Sequence, residues 1–451
     1  MAQIDIVENN LLTGSTIYND LKDQYTYLLE SYMGGQNYRE GAHLTRYQLE
    51  SGKEYGARLN QTHLDNHCKS VISVYNSFLF RVPPTRDLGT LDTVVEQTDF
   101  LNDADFDGRS LNNFMKDVAT WAGVFGSCWI ILCKPNIGSV TAADELYNSN
   151  RPYANIITPL SMLKWNYQRL GNGAYQLDYI KYIEDINGNV RTVKEWTLDT
   201  ITTTTIQLQQ SGQENVINRT EEPNGLGAIP AICCYNNKGL VRGLGISDIN
   251  DIADAQKSIY NLLSELEETI RLDSHPSLVQ TPDVISGNGA GSIIQIPENL
   301  DPNLKPYLLQ YSGASVDSIL NSIDRIVESI DKMANIGGVR AQESKTLSGV
   351  AMQTEFQLLN ARLAEKADNL ELCEEQLFEF FAQYYNRVWD GTITYPGSFN
   401  IQDTQNEFAQ LKTARETATD PGLVKLIDER LVEMLGEDPD TVLSGIVPPT
   451  V

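Results

Sequence analysis

Two runs of apolar residues, each advancing in alternating steps of three and four, flank a stretch rich in proline and glycine. Ile249, Ile252, Ile259, Leu263, Leu266 and Ile270 form the first run, with Gln256 filling one position of the same register. Val316, Ile319, Ile323, Ile326, Ile330 and Met333 form the second. Such spacing keeps one narrow apolar seam along a helix, the pattern of helix–helix contact. A chain with two such seams has few ways to bury them. One helix runs out, residues 274–313 form a compact module, and a second helix returns against the first. Ser247 can cap the outgoing helix, which is read as Ser247 to Asp273, and Ser315 can cap the returning one.

A longer helix follows. Leu359, Leu363, Leu370, Cys373, Leu377, Phe381, Tyr384 and Val388 recur every three, four or seven residues. The pattern predicts about ten turns of helix, well beyond the average of roughly 11–12 residues. Between the returning and the long helix lies a loop of small and polar residues carrying two cations, Arg340 and Lys345.

The rest of the chain divides by pattern. Up to residue 135 the spacing predicts mainly helices: Tyr18 to Met33, Leu64 to Phe80 (ended by Pro83-Pro84) and Ser110 to Trp121. Val124 to Cys133 is apolar enough for a buried strand. Residues 153–235 read as a small antiparallel β region, with Tyr175, Leu177 and Tyr179 alternating, β-branched Thr202 to Thr205, and a hairpin turn at Asn187-Gly188. The tail gives two short helices, about 405–417 and 421–435, broken at Asp420-Pro421. The fold class is therefore mainly α with a smaller β component.

A chain of 451 residues exceeds what one core supports, roughly 250–300 residues, so two to four structural regions are expected. Its hydrophobic fraction of 41% and charged fraction of 21% describe an ordered chain. The N-terminal MAQIDIVENN lacks a signal pattern. The longest nearly apolar run, Val124 to Cys133, is too short for the ~20 residues that cross a bilayer. No membrane association is expected. The cysteines at 68, 128, 133, 233, 234 and 373 form no CxxC pair, and buried free thiols in a reducing compartment are the expectation. The net charge of −26 favours solubility and opposes tight hold on DNA, since that affinity comes from Lys and Arg on phosphates.

No motif for chemistry withstands inspection. Asp103-Ala-Asp105-Phe-Asp107-Gly108 begins like a calcium loop, but Phe114 stands where the bidentate Glu belongs, so a turn leading into a helix capped at Ser110 is the reading. His63 and His67 would share a helix face beside Cys68, yet no HExxH glutamate accompanies them, and His43 and His275 are isolated. Gly287-Asn-Gly289-Ala-Gly291-Ser292 departs from GxGxxG, and no GxxxxGK[ST] occurs, so a flexible turn is expected there. Nothing singles out an acid–base pair. Catalytic, cofactor-binding and metal-binding residues are all expected to be none. The returning helix carries a sharper pattern: Asp317, Asp324 and Asp331 repeat by seven, as do Arg325 and Lys332. They form either a solvated face with intrahelical pairs such as Glu328 to Lys332, or acid presented by many copies around a shared axis.

This order of parts resembles the portal proteins of tailed bacteriophages. "SGVAM" (Ser348 to Met352), entering the long helix, is similar to the Ser-Gly-x-Ala entry of that family. "NGLGAIPAICCYNN" (Asn224 to Asn237), before the outgoing helix, and "DGRSLNNFMKDVATWAGVFGSCWIIL" also resemble family segments. The resemblance implies a wing (1–246, with its β region at about 153–235), stem helices (247–273 and 314–335), a clip (274–313) and a tunnel loop (336–346). A long helix and crown (347–451) complete the portal-type architecture. It implies a ring of usually twelve copies at one capsid vertex of the virion, assembled in the host cytoplasm. Double-stranded DNA would be packaged and ejected through the ring. Major capsid and scaffolding proteins would surround it, the terminase large subunit would dock on the clip during filling, and head–tail connector or adaptor proteins would replace it later. Gly337, Gly338, Arg340, Gln342 and Lys345 are expected in the tunnel loop. Asp317, Asp324 and Asp331 are expected on the channel wall, and Gly287, Gly289 and Gly291 in the clip. No enzymatic activity is implied. Two other readings stay open: another ring-forming virion structural protein, which would be shorter and lack the helix–clip–helix insertion, and an acidic hydrolase, which turnover would reveal.

Overall fold

A computed structural model describes residues 11–135, 150–211, 213–274, 277–279, 285–286, 294–295, 301, 307–309, 314–337, 349–399, 404–418 and 420–434. The chain divides into two units, Met1–Gly397 and Ser398–Val451.

The first unit opens with helices α1 (Thr16–Met33), α2 (Gly35–Glu40), α3 (Gly52–Gln61) and α4 (His67–Leu79). Strand β1 (Thr85–Asp87) and helices α5 (Val95–Asn102) and α6 (Leu111–Phe125) follow. The capping residues are legible in the sequence. Ser15 accepts the Tyr18 amide, Ser51 and Glu54 form a reciprocal capping box, and Ser110 accepts the Asn113 amide. The acidic turn before α6 closes on itself: Asp103 accepts the Gly108 amide at 2.9 Å and Asp105 the Asp107 amide at 3.0 Å. Its carboxylates are held by arginines, Asp105 by Arg109 and Asp103 by Arg151. This is the expected turn.

Strand β2 (Ser127–Cys133) is buried at every residue and lies between β3 (Tyr153–Ile157) and β9 (Ala231–Tyr235), both antiparallel to it. Its two faces serve two cores, because successive side chains alternate. Trp129, Ile131 and Cys133 face a five-stranded antiparallel meander: β4 (Met162–Arg169), β5 (Tyr175–Asn187), β6 (Val190–Thr197), β7 (Thr200–Leu208) and β8 (Glu214–Pro223). Leu177, Ile180, Tyr182 and Trp196 complete that core. The strand pairs β10 (Asn237–Lys238) with β11 (Gly245–Ile246) and, later, β12 (Ser277–Val279) with β15 (Tyr307–Leu309) and β13 (Ile285–Ser286) with β14 (Ile294–Gln295) are all antiparallel.

Helix α7 (Asn250–Ser274) runs out, the β12–β15 and β13–β14 pairs lie beyond it, and α8 (Ala314–Ala334) returns and packs against α7. The long helix α9 (Gly349–Tyr384) crosses β2 and β9, with Leu359, Leu363, Leu370, Cys373, Leu377 and Phe381 all buried. Strand β16 (Thr392–Thr394) then pairs with β1. In the second unit, α10 (Thr404–Thr417) and α11 (Pro421–Met434) pack as a hairpin, with Ile427 buried and Arg415 paired to Asp428.

Several expected boundaries shift. Helix α7 starts at Asn250, because the Ser247 hydroxyl donates to the Val124 carbonyl at 2.6 Å and accepts only from Ile249. Ser315 lies inside α8, which begins at Ala314. The β5–β6 hairpin turns on Gly188-Asn189, with Asn187 still paired to Val190 and Gly188 at φ 56°, the positive φ that the first position of a II′ turn requires. Val124 belongs to α6, which ends where Gly126 turns at φ 90°, so β2 begins at Ser127. Leu64 lies before α4, whose cap is Asn66. His63 therefore falls outside the helix that His67 begins, and the two do not share a helix face. Helix α9 closes at Tyr384: Asn386 adopts φ 52° and the Arg387 amide reaches back to the Ala382 carbonyl at 2.9 Å. Val388 consequently lies beyond the helix and is 83% exposed.

The candidate functional site: a helix pair and its polar hub

Helix α7 is docked along its first half and bare toward its end. Gln256, the polar filler of its seam, is fully buried; it accepts the Cys68 amide at 2.9 Å and donates to the Ser31 carbonyl at 3.0 Å. Asn261 accepts the Thr45 amide at 2.8 Å. Ser264 accepts from Arg58 at 3.0 Å, and Arg58 is itself held by Glu50 at 2.8 Å and lies over the Tyr47 ring. Beyond these anchors Ile270 is 47% exposed. On α8, Ile330 is buried near the base, while Ile319, Ile323 and Ile326 are half-buried and Leu320 is 44% exposed. One copy of the chain therefore leaves apolar surface uncovered along this pair.

The carboxylates expected as a stripe lie on α8: Asp317 and Asp324 are exposed and Asp331 is partly buried. Arg325 and Lys332 are exposed on the same helix. The helix ends as its sequence allows. Asn335 takes φ 56° and the Ile336 amide bonds the Asp331 carbonyl at 3.0 Å, with Ile336 fully buried, the arrangement of a Schellman cap. Gly337 follows; Gly338, Arg340, Gln342 and Lys345 lie outside the described residues, as do Gly287, Gly289 and Gly291.

The base of the pair is clamped by a buried polar hub. Asp248, just before α7, receives Lys366 Nζ at 2.5 Å and Arg362 at 3.0 Å, both from α9. Arg362 also donates to the Met333 carbonyl at 3.0 Å, and the Tyr75 hydroxyl donates to the Ala334 carbonyl at 2.5 Å. Lys366 further donates to Asn236, whose own amide reaches the Ile246 carbonyl at 2.9 Å. Both cations lie over the Tyr75 ring, at 5.3 and 5.2 Å from its centre. Burial alone would raise the Asp248 carboxyl, but Lys366 and Arg362 hold it below the usual carboxylate value. Burial lowers Lys366 from the ordinary lysine value, and Asp248 opposes that shift. The entry to α7, the exit from α8 and the long helix are thus fixed to one another at a single point.

A second buried pair lies farther along α9. Glu374 is fully buried; it accepts from Arg86 of β1 and, at 2.7 Å, from the Tyr395 hydroxyl, while Arg86 also reaches Asn112 at 2.6 Å. It ties the β1–β16 pair and α6 to the long helix.

All six cysteines are free, five of them buried, and burial pushes Cys68 up to about 12 and Cys133 up to about 11. Among the described residues, no three or more His, Cys, Asp or Glu side chains are grouped to hold a metal, and no helix is long and apolar enough to cross a membrane.

Sequence reasoning missed the hub. One signal was present: Lys366 stands in the apolar register of α9, between Leu363 and Leu370, where only a paired cation can be buried. Its partners Tyr75, Asn236 and Asp248 carry no such mark.

The profile of one protein family, described as "Phage portal protein, SPP1 Gp6-like", matches residues 17–411. No curated protein matches. Among solved structures, a chain from "Neck of empty GTA particle computed with C6 symmetry" is 10% identical, with 90% of this chain and 100% of that chain covered and a TM-score of 0.48. A chain from "Virion of native gene transfer agent (GTA) particle" is also 10% identical, covering 82% of this chain and 90% of that one, with a TM-score of 0.41. The family match spans the helices, the meander, the helix pair, the hub and the long helix alike, and the chain belongs to the SPP1 Gp6-like family of phage portal proteins.

Proposed function

We propose that this structural portal protein assembles into a closed ring of about twelve copies, a heterologous interface repeated until it returns to its start. The ring occupies one vertex of a capsid and encloses the channel through which double-stranded DNA enters and leaves. Residues 1–246 form its wing, α7 and α8 the stem, residues 274–313 the clip, 336–346 the tunnel loop, and residues from 347 onward the long helix and crown. The observation that carries this reading is the helix pair. Two seamed helices, bound at their base to the long helix, leave apolar surface that one copy cannot cover.

The remaining assignments follow the same plan. Helix α8 leads directly into the tunnel loop, whose Gly337, Gly338 and Gln342 are permissive or polar and whose Arg340 and Lys345 give rings of cations near the passing DNA. Asp317, Asp324 and Asp331 stand on or near the channel side. An acidic wall with few cations lets DNA slide, because strong phosphate binding would pin it. The clip, with Gly287, Gly289 and Gly291 in its turn, is the docking surface for the terminase large subunit during filling and for head–tail connector proteins afterwards. Capsid and scaffolding proteins surround the wing.

Deleting Gly287 to Gly291 tests the clip assignment. The variant should keep the thermal unfolding of the parent but lose ring closure or motor docking in a packaging assay with capsids and terminase. Normal packaging by the deletant would contradict the assignment.

A further inference from the structure

Helix α8 separates its charges. At about 100° per residue, its seam of Val316, Ile319, Ile323, Ile326 and Ile330 defines the direction that faces α7. Asp317, Asp324 and Asp331 then fall about 120° to one side of that direction, and Arg325 and Lys332 about 150° to the other. Between the acids and the seam lie Leu320 and Val327; between the cations and the seam lie Ser322 and Ser329. Leu320 is 44% exposed, Val327 is half-buried and both serines are exposed. The two flanks of the helix are therefore unlike: one is apolar with an acidic shoulder, the other small and hydroxylated with a basic shoulder.

We propose that these two flanks are the two halves of one interface between neighbouring copies in the ring, the occupant of each flank being the opposite flank of a second copy of this chain. The inference rests on the ring proposed above and names the surface that closes its stem. In a ring, equal helices stand side by side at equal height, so one flank of each meets the other flank of the next. Leu320 and Val327 then lie against the serines, whose small side chains let the helices approach closely. Asp317, Asp324 and Asp331 meet Arg325 and Lys332 of the neighbour along the channel-side rim of that contact. Charge and size complement each other only in this head-to-tail sense. A two-fold pairing of like flanks would set acid against acid. The acidic shoulder still borders the channel, and the neighbour's two cations only partly neutralise its three carboxylates, so the wall stays net acidic.

The test is charge reversal in the full-length chain. Replacing Asp317, Asp324 and Asp331 by Lys places cations against cations, and like charges face to face suppress association steeply. The assembly midpoint, read by native mass spectrometry or analytical ultracentrifugation, should move to at least about tenfold higher protein concentration. Adding Arg325→Glu and Lys332→Glu to the same chain restores complementarity with reversed sign and should restore the midpoint. A second variant, Leu320→Cys with Ser322→Cys, should give a ladder of covalent oligomers on oxidation. The proposal is overturned if the triple Lys variant forms rings at the parent concentration, including the case in which those rings merely hold DNA more tightly. It is equally overturned if the variant fails to assemble, melts like the parent and is not rescued by the reverse substitutions. If the triple Lys variant misfolds, the cysteine pair decides, and a folded cysteine variant without a ladder overturns the proposal. Failure of the unmodified chain to form rings at all would instead remove the reading on which the inference rests.

Discussion

Asp248 has two cations within hydrogen-bond distance and almost no water. Breaking a buried ion pair by removing one partner costs roughly 3–5 kcal/mol, because the other charge is left uncompensated. Asp248→Ala should therefore destabilise the chain by about that amount, leaving Lys366 and Arg362 facing each other. Lys366→Met should cost less, since Arg362 still satisfies the carboxylate. Denaturant titration of the two variants checks the order, and equal losses would contradict it. The pH dependence has a definite sign. The folded state holds the Asp248 carboxyl below its unfolded value, so its contribution is present above the unfolded carboxylate pKa, about 3.9, and is lost as pH falls through the folded one. Acid unfolding of the parent should thus begin at higher stability than that of Asp248→Ala, and the two curves should converge at the lowest pH.

At the scale of elements, the helices were legible because apolar spacing reports a buried face directly. The seams of α7 and α8 lie on helices where the spacing places them, and that of α9 does so up to Tyr384, with Val388 beyond the helix end. The ends were less legible, since a serine near a helix start announces a local hydrogen bond but not its partner. Ser247 gives its hydroxyl proton to Val124 across the fold, and Ser315 simply continues α8. Of the hub only Lys366, a lysine in the apolar register of α9, was legible, because the other members come from separate stretches and meet only after folding. Two backbone sites test how the elements join. A Cβ at Gly126 would meet the Gly245 carbonyl oxygen at 2.5 Å, at φ 90°. Gly126→Ala should cost about 1–3 kcal/mol from left-handed strain and overpacking, seen as a lower unfolding midpoint. Asn335 has φ 56° in the cap that ends α8, so Asn335→Gly should be neutral or slightly stabilising. Asn335→Val should cost at least about 1 kcal/mol, measured in the same way. An unchanged midpoint in the valine variant would contradict the cap.

At the scale of the molecule, the paired helices, the hub and the long helix form one connected path. The end of α8 is held to α9 by the Arg362–Met333 hydrogen bond and to α4 by the Tyr75–Ala334 one, and Arg362 also binds Asp248 before α7. A net charge of −26 per chain makes self-assembly depend on specific complementary surfaces, since undirected contact between such chains is repulsive. The central claim is that those surfaces close a ring. End-on negative-stain images of the purified protein, paired with native mass spectrometry under assembly conditions that include capsid and scaffolding proteins, test it most directly. The account predicts closed rings of about twelve copies with a central hole; a population that stays monomeric or dimeric under all of those conditions would contradict it.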